Sequence, residues 1–524
     1  MRTRAALASA TLLAGTLAVL SSGPAQAAST RYEAESSPAV CTGTVDSDWT
    51  GFSGAGFCNG TNAAGAYAEF TVTAAAAGAA TLQVRFANGT TAARPADLTV
   101  NGSAAGSVSF ESTGAWTGWT TKTLTVQVRS GSNTIRLNPT TSAGLPNLDY
   151  LAADVSATDP PTANALYVAP GGTDGAAGTQ SAPTTLASAI ARVTPGGTIY
   201  LRGGTYSYAQ TVTVPVGSNG TASARTTLSA YPGETPVLDF SAMAEDPANR
   251  GLVVNGNYWR VYGITVQRAG DNGIYVGGSH NVIERTVTRY NRDSGLQLGR
   301  ISSSTPSSQW PADNLILSAE SHDNADAGGE NADGFAAKLT VGSGNVFRYA
   351  VSHHNIDDGW DLYTKTDTGP IGPVTVEDSL SYSNGTLSNG TVNANGDRNG
   401  YKLGGEDIAV DHTVRRSIAY HNGHHGFTWN SNPGTMAVST NLSIDNTERN
   451  YSWDGGTSVF RGNTSCRFAV SGSNDRTLGD ADATNQFWTG ANGSRCAPYA
   501  GALSWSFASD GRLVVAIGGR TVTL

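Results

Sequence analysis

Lysine is scarce in this 524-residue chain: Lys122, Lys338, Lys365 and Lys402 are all there is. With 32 basic residues of both kinds against 41 acidic ones, the net charge is -9 and there is no basic stripe to neutralise phosphates. A nucleic-acid binder is excluded on that ground. After the first twenty residues no apolar run reaches membrane length, so no membrane span is expected. The 64 glycines follow no collagen period, and 39% hydrophobic content is too high for a disordered polymer. Only four cysteines occur, and none has the close Cys or His neighbour of a zinc site.

What is present begins at the N-terminus. Arg2 and Arg4 precede an apolar run from Ala5 to Leu20, and Ala25-Gln26-Ala27 offers small residues for cleavage. Residues 1–27 read as a secretory signal peptide, so the mature chain is expected outside the cell. Export permits disulfides. Four cysteines allow three pairings, of which two local clips, Cys41–Cys58 and Cys466–Cys496, are the most economical. No oligomerisation signal is visible, and a monomer is expected.

The paired prolines of Thr158-Asp-Pro-Pro-Thr-Ala-Asn164 mark a linker over residues 156–165. Before it, residues 28–155 contain alternating segments such as Ala79–Phe86, Thr121–Val128 and Asn133–Leu137, separated by Gly- and Asn-rich turns. That pattern predicts a β-sandwich. Tyr32-Glu-Ala-Glu35 at its start and Asn147-Leu-Asp-Tyr-Leu151 at its end resemble carbohydrate-binding modules of families 35 and 6 over most of residues 30–154. The resemblance implies a jelly-roll module with a structural calcium held by Glu33, Glu35 and Asp149. It also makes Trp116, Trp119 and Asn147 the local candidates for sugar contact, although a Trp in a sandwich is as often core.

After the linker, residues 166–524 open with a short amphipathic helix (Leu186, Ile190 and Val193 on one face), suited to capping a solenoid. A template then recurs: Asn272-Gly-Ile-Tyr-Val276, Ser294-Gly-Leu-Gln-Leu298, Asp333-Gly-Phe-Ala-Ala337, Asp358-Gly-Trp-Asp-Leu362, Asn399-Gly-Tyr-Lys-Leu403 and His425-Gly-Phe-Thr-Trp429. Asn291, Asn324, Asn355, Asn384 and Asn422 form a parallel row. Short strands in coils of this length predict a parallel β-helix; a propeller blade would need about twice the period. Asn and Gly are expected at the sharp, left-handed corners.

Equivalent positions in successive coils stack about 4.8 Å apart. Asp333 and Asp358 occupy one such position, with Asp357 and Asp361 close by. Two carboxylates ~5 Å apart repel by roughly 3 kcal/mol at an effective dielectric of ~20. A cation between them is expected, and calcium, which accepts several carboxylate oxygens, suits the set. Lys402 stands where Asp361 stands one coil earlier. On stacking alone it is either a counterion to Asp361 or a base.

Asn331-Ala-Asp-Gly-Phe-Ala-Ala-Lys-Leu-Thr-Val-Gly342, Asp357–Leu362 and Asn399-Gly-Tyr-Lys-Leu-Gly-Gly405 together resemble pectate lyases of polysaccharide lyase family 9, through most of residues 166–460. The resemblance implies an all-β, right-handed parallel β-helix that cleaves polygalacturonate by calcium-dependent β-elimination. It implies Asp333, Asp357, Asp358 and Asp361 as calcium ligands and Lys402 as Brønsted base. Lys338 and Lys365 are secondary candidates for the base. His353, His354, His424 and His425 read as corner or surface hydrogen-bonding groups, and Trp360 and Trp429 as coil packing. The Asn384–Asn399 loop and the tail beyond about 460 have no counterpart in the resemblance. The rival functions are a lyase for rhamnogalacturonan or another uronate polymer, and a non-catalytic sugar-binding β-helix.

Overall fold

The computed structural model describes residues 30–74, 78–129, 131–154, 164–508 and 510–524. The expected signal peptide and most of the linker lie outside these residues. The chain forms two compact units, Met1–Thr158 and Asp159–Leu524.

The first unit packs two antiparallel sheets face to face. One sheet runs in the order Gly43–Asp46, Phe57–Gly60, Asn147–Asp154, Gly78–Ala87, Thr120–Val128, with Thr30–Glu33 also paired to Asn147–Asp154. The other runs Val40–Cys41, Ala68–Ala74, Gly131–Pro139, Arg94–Val100, Ser103–Phe110. Alternate residues of each strand, among them Phe70, Val72, Leu82, Val84, Ile135 and Leu137, fill the space between. The Cys41–Cys58 disulfide ties one sheet to the other.

The second unit is a right-handed parallel β-helix. Successive coils build three parallel sheets: a 12-stranded first face from Ala165–Val168 to Asp480–Ala481, a 10-stranded second from Gly204–Ser207 to Thr464–Cys466, and a 10-stranded third from Val212–Val214 to Arg476–Thr477. The first face extends one strand beyond the others at either end. The helix Leu186–Arg192, N-capped by Thr185, buries Leu186, Ala189 and Ile190 at the start of the coil. Inside the third face Phe335, Trp360, Tyr401, Phe427 and Tyr451 lie in register, with neighbouring ring centroids 4.6–5.2 Å apart. Trp360 is fully buried there, as coil packing requires.

The asparagine row forms as expected. Each side-chain NH2 donates to the next carboxamide oxygen, from Asn291 through Asn324, Asn355, Asn384 and Asn422 to Asn446, at 2.7–3.0 Å. The corners themselves differ from expectation. The left-handed residues directly before this row are Tyr290, Asp323, His354, Ser383 and His421, with φ between 53 and 57°. The template glycines are not left-handed at all. They are required because a Cβ on Gly295, Gly334, Gly359 or Gly426 would meet a serine Oγ of the second face at 2.0–2.2 Å. Glycine is selected there by close approach across the coil rather than by backbone angle.

The region read as 166–524 holds two architectures. Coils end at Asp480–Ala481; Leu503–Phe507, Leu513–Ile517 and Arg520–Thr521 then form an antiparallel sheet. Val515 and Ile517 bury against Val351, Leu380, Ile418 and Leu442 of the second face. Trp505 Nε1 donates to Tyr382 Oη at 3.1 Å, Ser318 Oγ donates to the Gly511 carbonyl at 2.6 Å, and Cys466–Cys496 anchors the segment covalently.

Candidate active site

The third face carries the site on its outer side and its leading edge. Parallel pairing sets Asp361 beside Lys402 and Lys402 beside Thr428, in one outward row. The residues ahead of the template glycines form a second row, since Gly295, Gly334, Gly359 and Gly400 each donate an N–H to the carbonyl of Asp333, Asp358, Asn399 and His425 respectively. Both rows are buried as far as Asn399 and Thr428, with Asp333 and Asp358 wholly inaccessible and Lys402 only 8% exposed.

Asp333, Asp357 and Asp358 bring carboxylate oxygens within 4.8 Å of one another. Backbone and hydroxyl donors hold each in place. Ser294 Oγ donates to Asp333 Oδ2 at 2.9 Å, Asp397 N to Asp357 Oδ1 at 2.6 Å, and Asn399 N to Asp358 Oδ1 at 2.6 Å. Asp361 turns one oxygen to Tyr363 N at 2.9 Å and the other towards the two lysines.

Lys402 Nζ lies 2.7 Å from Asp397 Oδ2, 3.3 Å from Asp358 Oδ2 and 3.9 Å from Asp361 Oδ2. Lys338 is also in the site, 2.7 Å from Asp333 Oδ2 and 3.2 Å from Asp361 Oδ2. Lys365 is exposed in the turn that follows, its backbone bridged to Gly369. Sequence reasoning ranked Lys338 with Lys365; the fold separates them. Asp397 was missed. It is carried by the excursion between Asn384 and Asn399, and its only sequence signal was that this segment fits no coil.

Burial pushes the Asp333 carboxyl up to about 7; Lys338 opposes the rise and Asp361 adds to it. Burial, followed by repulsion from the other carboxylates, also drives Asp357 well above the ordinary range. Asp358 rises as well through burial, against the pull of Lys402. Burial works against the Lys402 ammonium, but Asp361, Asp358, Asp397 and Asp357 outweigh it and raise its pKa. Lys338 is likewise held charged by Asp333, Asp361 and Asp293 despite its burial.

The donor set fits a hard divalent cation. All its atoms are carboxylate oxygens, and Asp358 Oδ2 is buried with no hydrogen-bond partner. Its 3.3 Å approach to Lys402 is an ionic contact without hydrogen-bond alignment. Calcium takes such oxygens in loose geometry, and residues 333, 357 and 358, with 361 adjacent, are those that would hold it.

In the first unit Asp149 is inaccessible, pairs with Arg85, and accepts from Ser53 N at 2.9 Å. Ser53 Oγ lies 2.9 Å from Glu33 Oε2, and Ala55 N donates to Glu35 Oε1 at 2.9 Å. The three acids thus converge on residues 53–55. Trp116 is half-buried, packed over Gly89 with the Arg94 guanidinium 5.3 Å from its ring. Trp119 donates to the Thr50 carbonyl at 3.0 Å and meets Phe57 edge-on, and Asn147 is buried at 4% exposure. Of the three sugar-contact candidates, Trp116 and Trp119 keep exposed surface.

Residues 166–463 match the family described as Pel9A-like, right handed beta helix region, and residues 66–153 match the CBM13 domain described for alpha-galactosidase. The chain is 53% identical over 355 residues to a pectate lyase L of Paenibacillus polymyxa (strain SC2), covering 66% of this chain and 78% of that protein. Over 287 residues it is 46% identical to a pectate lyase L of Thermoclostridium stercorarium, 54% of this chain and 23% of that longer protein. The crystal structure of pectate lyase Pel9A superposes with a TM-score of 0.56 at 31% identity, covering 66% of this chain and 86% of that one. The match over residues 166–463, together with the identity to pectate lyases, shows that this chain, whose coil carries a carboxylate nest with two lysines on its third face, belongs to the Pel9A-like right-handed β-helix family and is a polysaccharide lyase.

Proposed function

We propose that the chain is a secreted, calcium-dependent pectate lyase that cleaves α-1,4-galacturonan by β-elimination, with Lys402 as the Brønsted base. The observation that carries this reading is the position of Lys402 Nζ, on the outer face of its strand and 3.3 Å from the buried Asp358 carboxylate.

Calcium held by Asp333, Asp357, Asp358 and Asp361 would supply positive charge to a uronate carboxylate and acidify the adjacent C5–H. Lys402 Nζ takes the C5 proton. The C–H electron pair becomes the C4–C5 double bond as the C4–O bond breaks, and the departing oxygen is protonated from solvent. The product is a 4,5-unsaturated uronide, formed without addition of water. While the carboxylates around it are anionic, Lys402 is held as an ammonium and cannot accept a proton. Neutralising those carboxylates frees its lone pair. Tyr363, whose ring centroid lies 5.3 Å from Nζ, limits where the amine can swing. The acids are too crowded to serve as the separated acid and base of a glycoside hydrolase. In the first unit, Glu33, Glu35 and Asp149 are the proposed clip across the chain ends and Trp116 and Trp119 the proposed sugar platforms.

The test follows ultraviolet absorbance of the conjugated product when the full chain acts on polygalacturonate and, separately, on rhamnogalacturonan. Signal on polygalacturonate that vanishes with chelator and returns with calcium supports the reading. Signal on rhamnogalacturonan alone moves the substrate class, and signal indifferent to chelator removes the metal from the mechanism.

A further inference from the structure

Two coils beyond the aspartates the same edge carries a cluster of different chemistry. His425 continues the row of Asp333, Asp358 and Asn399, with its backbone N–H donating to Asn399 Oδ1 at 3.2 Å. At about 4.8 Å per coil, it stands roughly 10 Å along the edge from Asp358. His424, His425 and Glu448 each bring one ligand atom within 4.8 Å of the others.

The two imidazoles stack with centroids 3.9 Å apart and an interplanar angle of 21°. Burial, then the neighbouring His424, pushes His425 down to about 3. Its Nδ1 is buried with no hydrogen-bond partner among the described residues. His424 is fixed at both ends. Its Nδ1 lies 3.1 Å from the Asp397 carbonyl, which can only accept, and its Nε2 lies 2.9 Å from Glu448 Oε2. With Nδ1 carrying the hydrogen, Nε2 and the carboxylate are two lone pairs face to face. A cation must sit between them, either a proton or a metal ion. Arg449 pairs with the other Glu448 oxygen and leaves Oε2 directed at the ring.

We propose that His424, His425 and Glu448 form a second metal site, selective for a borderline divalent ion of the zinc class over calcium. Imidazole nitrogens suit such ions, whereas the all-oxygen aspartate set suits calcium. The Nδ1–H to carbonyl contact is the outer-shell bond that fixes the tautomer of a metal-bound histidine. Ligand atoms around a tetrahedral ion with bonds of 2.0–2.2 Å lie roughly 3.3–3.6 Å apart, so the 2.9 Å pair of His424 and Glu448 opens slightly while the His425 ring turns out of its stack to complete the site. That same contact reaches Asp397, whose carboxylate is 2.7 Å from Lys402 Nζ. Loading the site therefore braces the excursion that touches the base.

The test is calorimetric titration of the chelator-treated full chain with zinc alone, in buffer already saturated with calcium. Wild type and Asp358→Asn are expected to bind one zinc ion alike, while Glu448→Gln and His425→Ala weaken binding at least tenfold. Thermal melts of each variant without metal show whether it is folded. Glu448→Gln, which keeps the shape of the side chain, decides the matter if His425→Ala does not fold. Absence of zinc binding in wild type, or binding lost in Asp358→Asn but kept in Glu448→Gln, overturns the proposal.

Discussion

At the residue scale the site is a balance between acids and two ammonium groups. Lys402 and Lys338 touch the same Asp361 oxygen, at 3.9 and 3.2 Å, yet only Lys402 sits in the outward row of the third face. Replacing Lys402 by Ala is expected to lower kcat by about 10²–10⁴, the range for losing a general base, with little change in KM. Lys338→Met is expected to keep kcat within about tenfold, because Lys338 neutralises Asp333 and does not face the row that reacts. Equal losses in the ultraviolet assay would mean that the base is misassigned. The aspartates and Lys402 were legible in the sequence because they break a neutral stack at fixed template positions. Asp397 was not, since its contact depends on the path of an excursion that no periodicity predicts.

The same balance sets a pH dependence. Asp333 titrates at about 7 in the folded chain against an ordinary 3.8, so between those values it holds a proton that the unfolded chain releases. Its contribution to stability is present below about 4 and lost as pH rises through 7. Asp357 and Asp358, also raised, act in the same direction. Burial lowers His412 to about 3, and it acts oppositely, but it lies away from the acids and cancels between metal-free and metal-loaded protein. The gain in Tm on adding calcium is therefore expected to grow from pH 5 to pH 8. A gain that is flat or shrinks over that range would contradict the assigned ligands.

At the scale of elements, the coil is held by rows that cross it. Asn355 accepts from Asn324 N and Nδ2 through Oδ1, and its own NH2 donates to Asn384 Oδ1, Ser352 Oγ and the Ser321 carbonyl. Truncating it to Ala strands several buried groups and is expected to cost about 2–4 kcal/mol, read as a lower midpoint in denaturant. Gly334→Ala should destabilise by about 1–3 kcal/mol through overpacking, because its new methyl meets Ser352 Oγ. A neutral result would return glycine to the role first expected for it. The row of asparagines was legible from spacing; Ser321, Ser352, Ser381 and Ser443 repeat three residues before it, but their close approach to the template glycines comes from stacking across the coil, which local spacing does not show.

At the scale of the molecule, each unit has its own buried core. Removal of residues 1–163 is therefore expected to leave elimination of soluble polymer intact while reducing retention on insoluble pectin, measured by a pull-down alongside the absorbance assay. Loss of all activity with a normal melt would show that the first unit contributes to the reaction. The tail was unreadable as a coil for good reason: Leu503–Phe507 and Leu513–Ile517 pair antiparallel, and their apolar side chains cover the second face rather than line the interior.

One consequence follows from the ammonium of Lys338 resting on Asp333 and Asp361. A built-in placeholder keeps the acids from driving one another apart, so the coil can close in surroundings poor in divalent ions. On the proposed calcium dependence, closing of the coil and onset of elimination are thereby separate events, the second waiting on the mineral content of the medium.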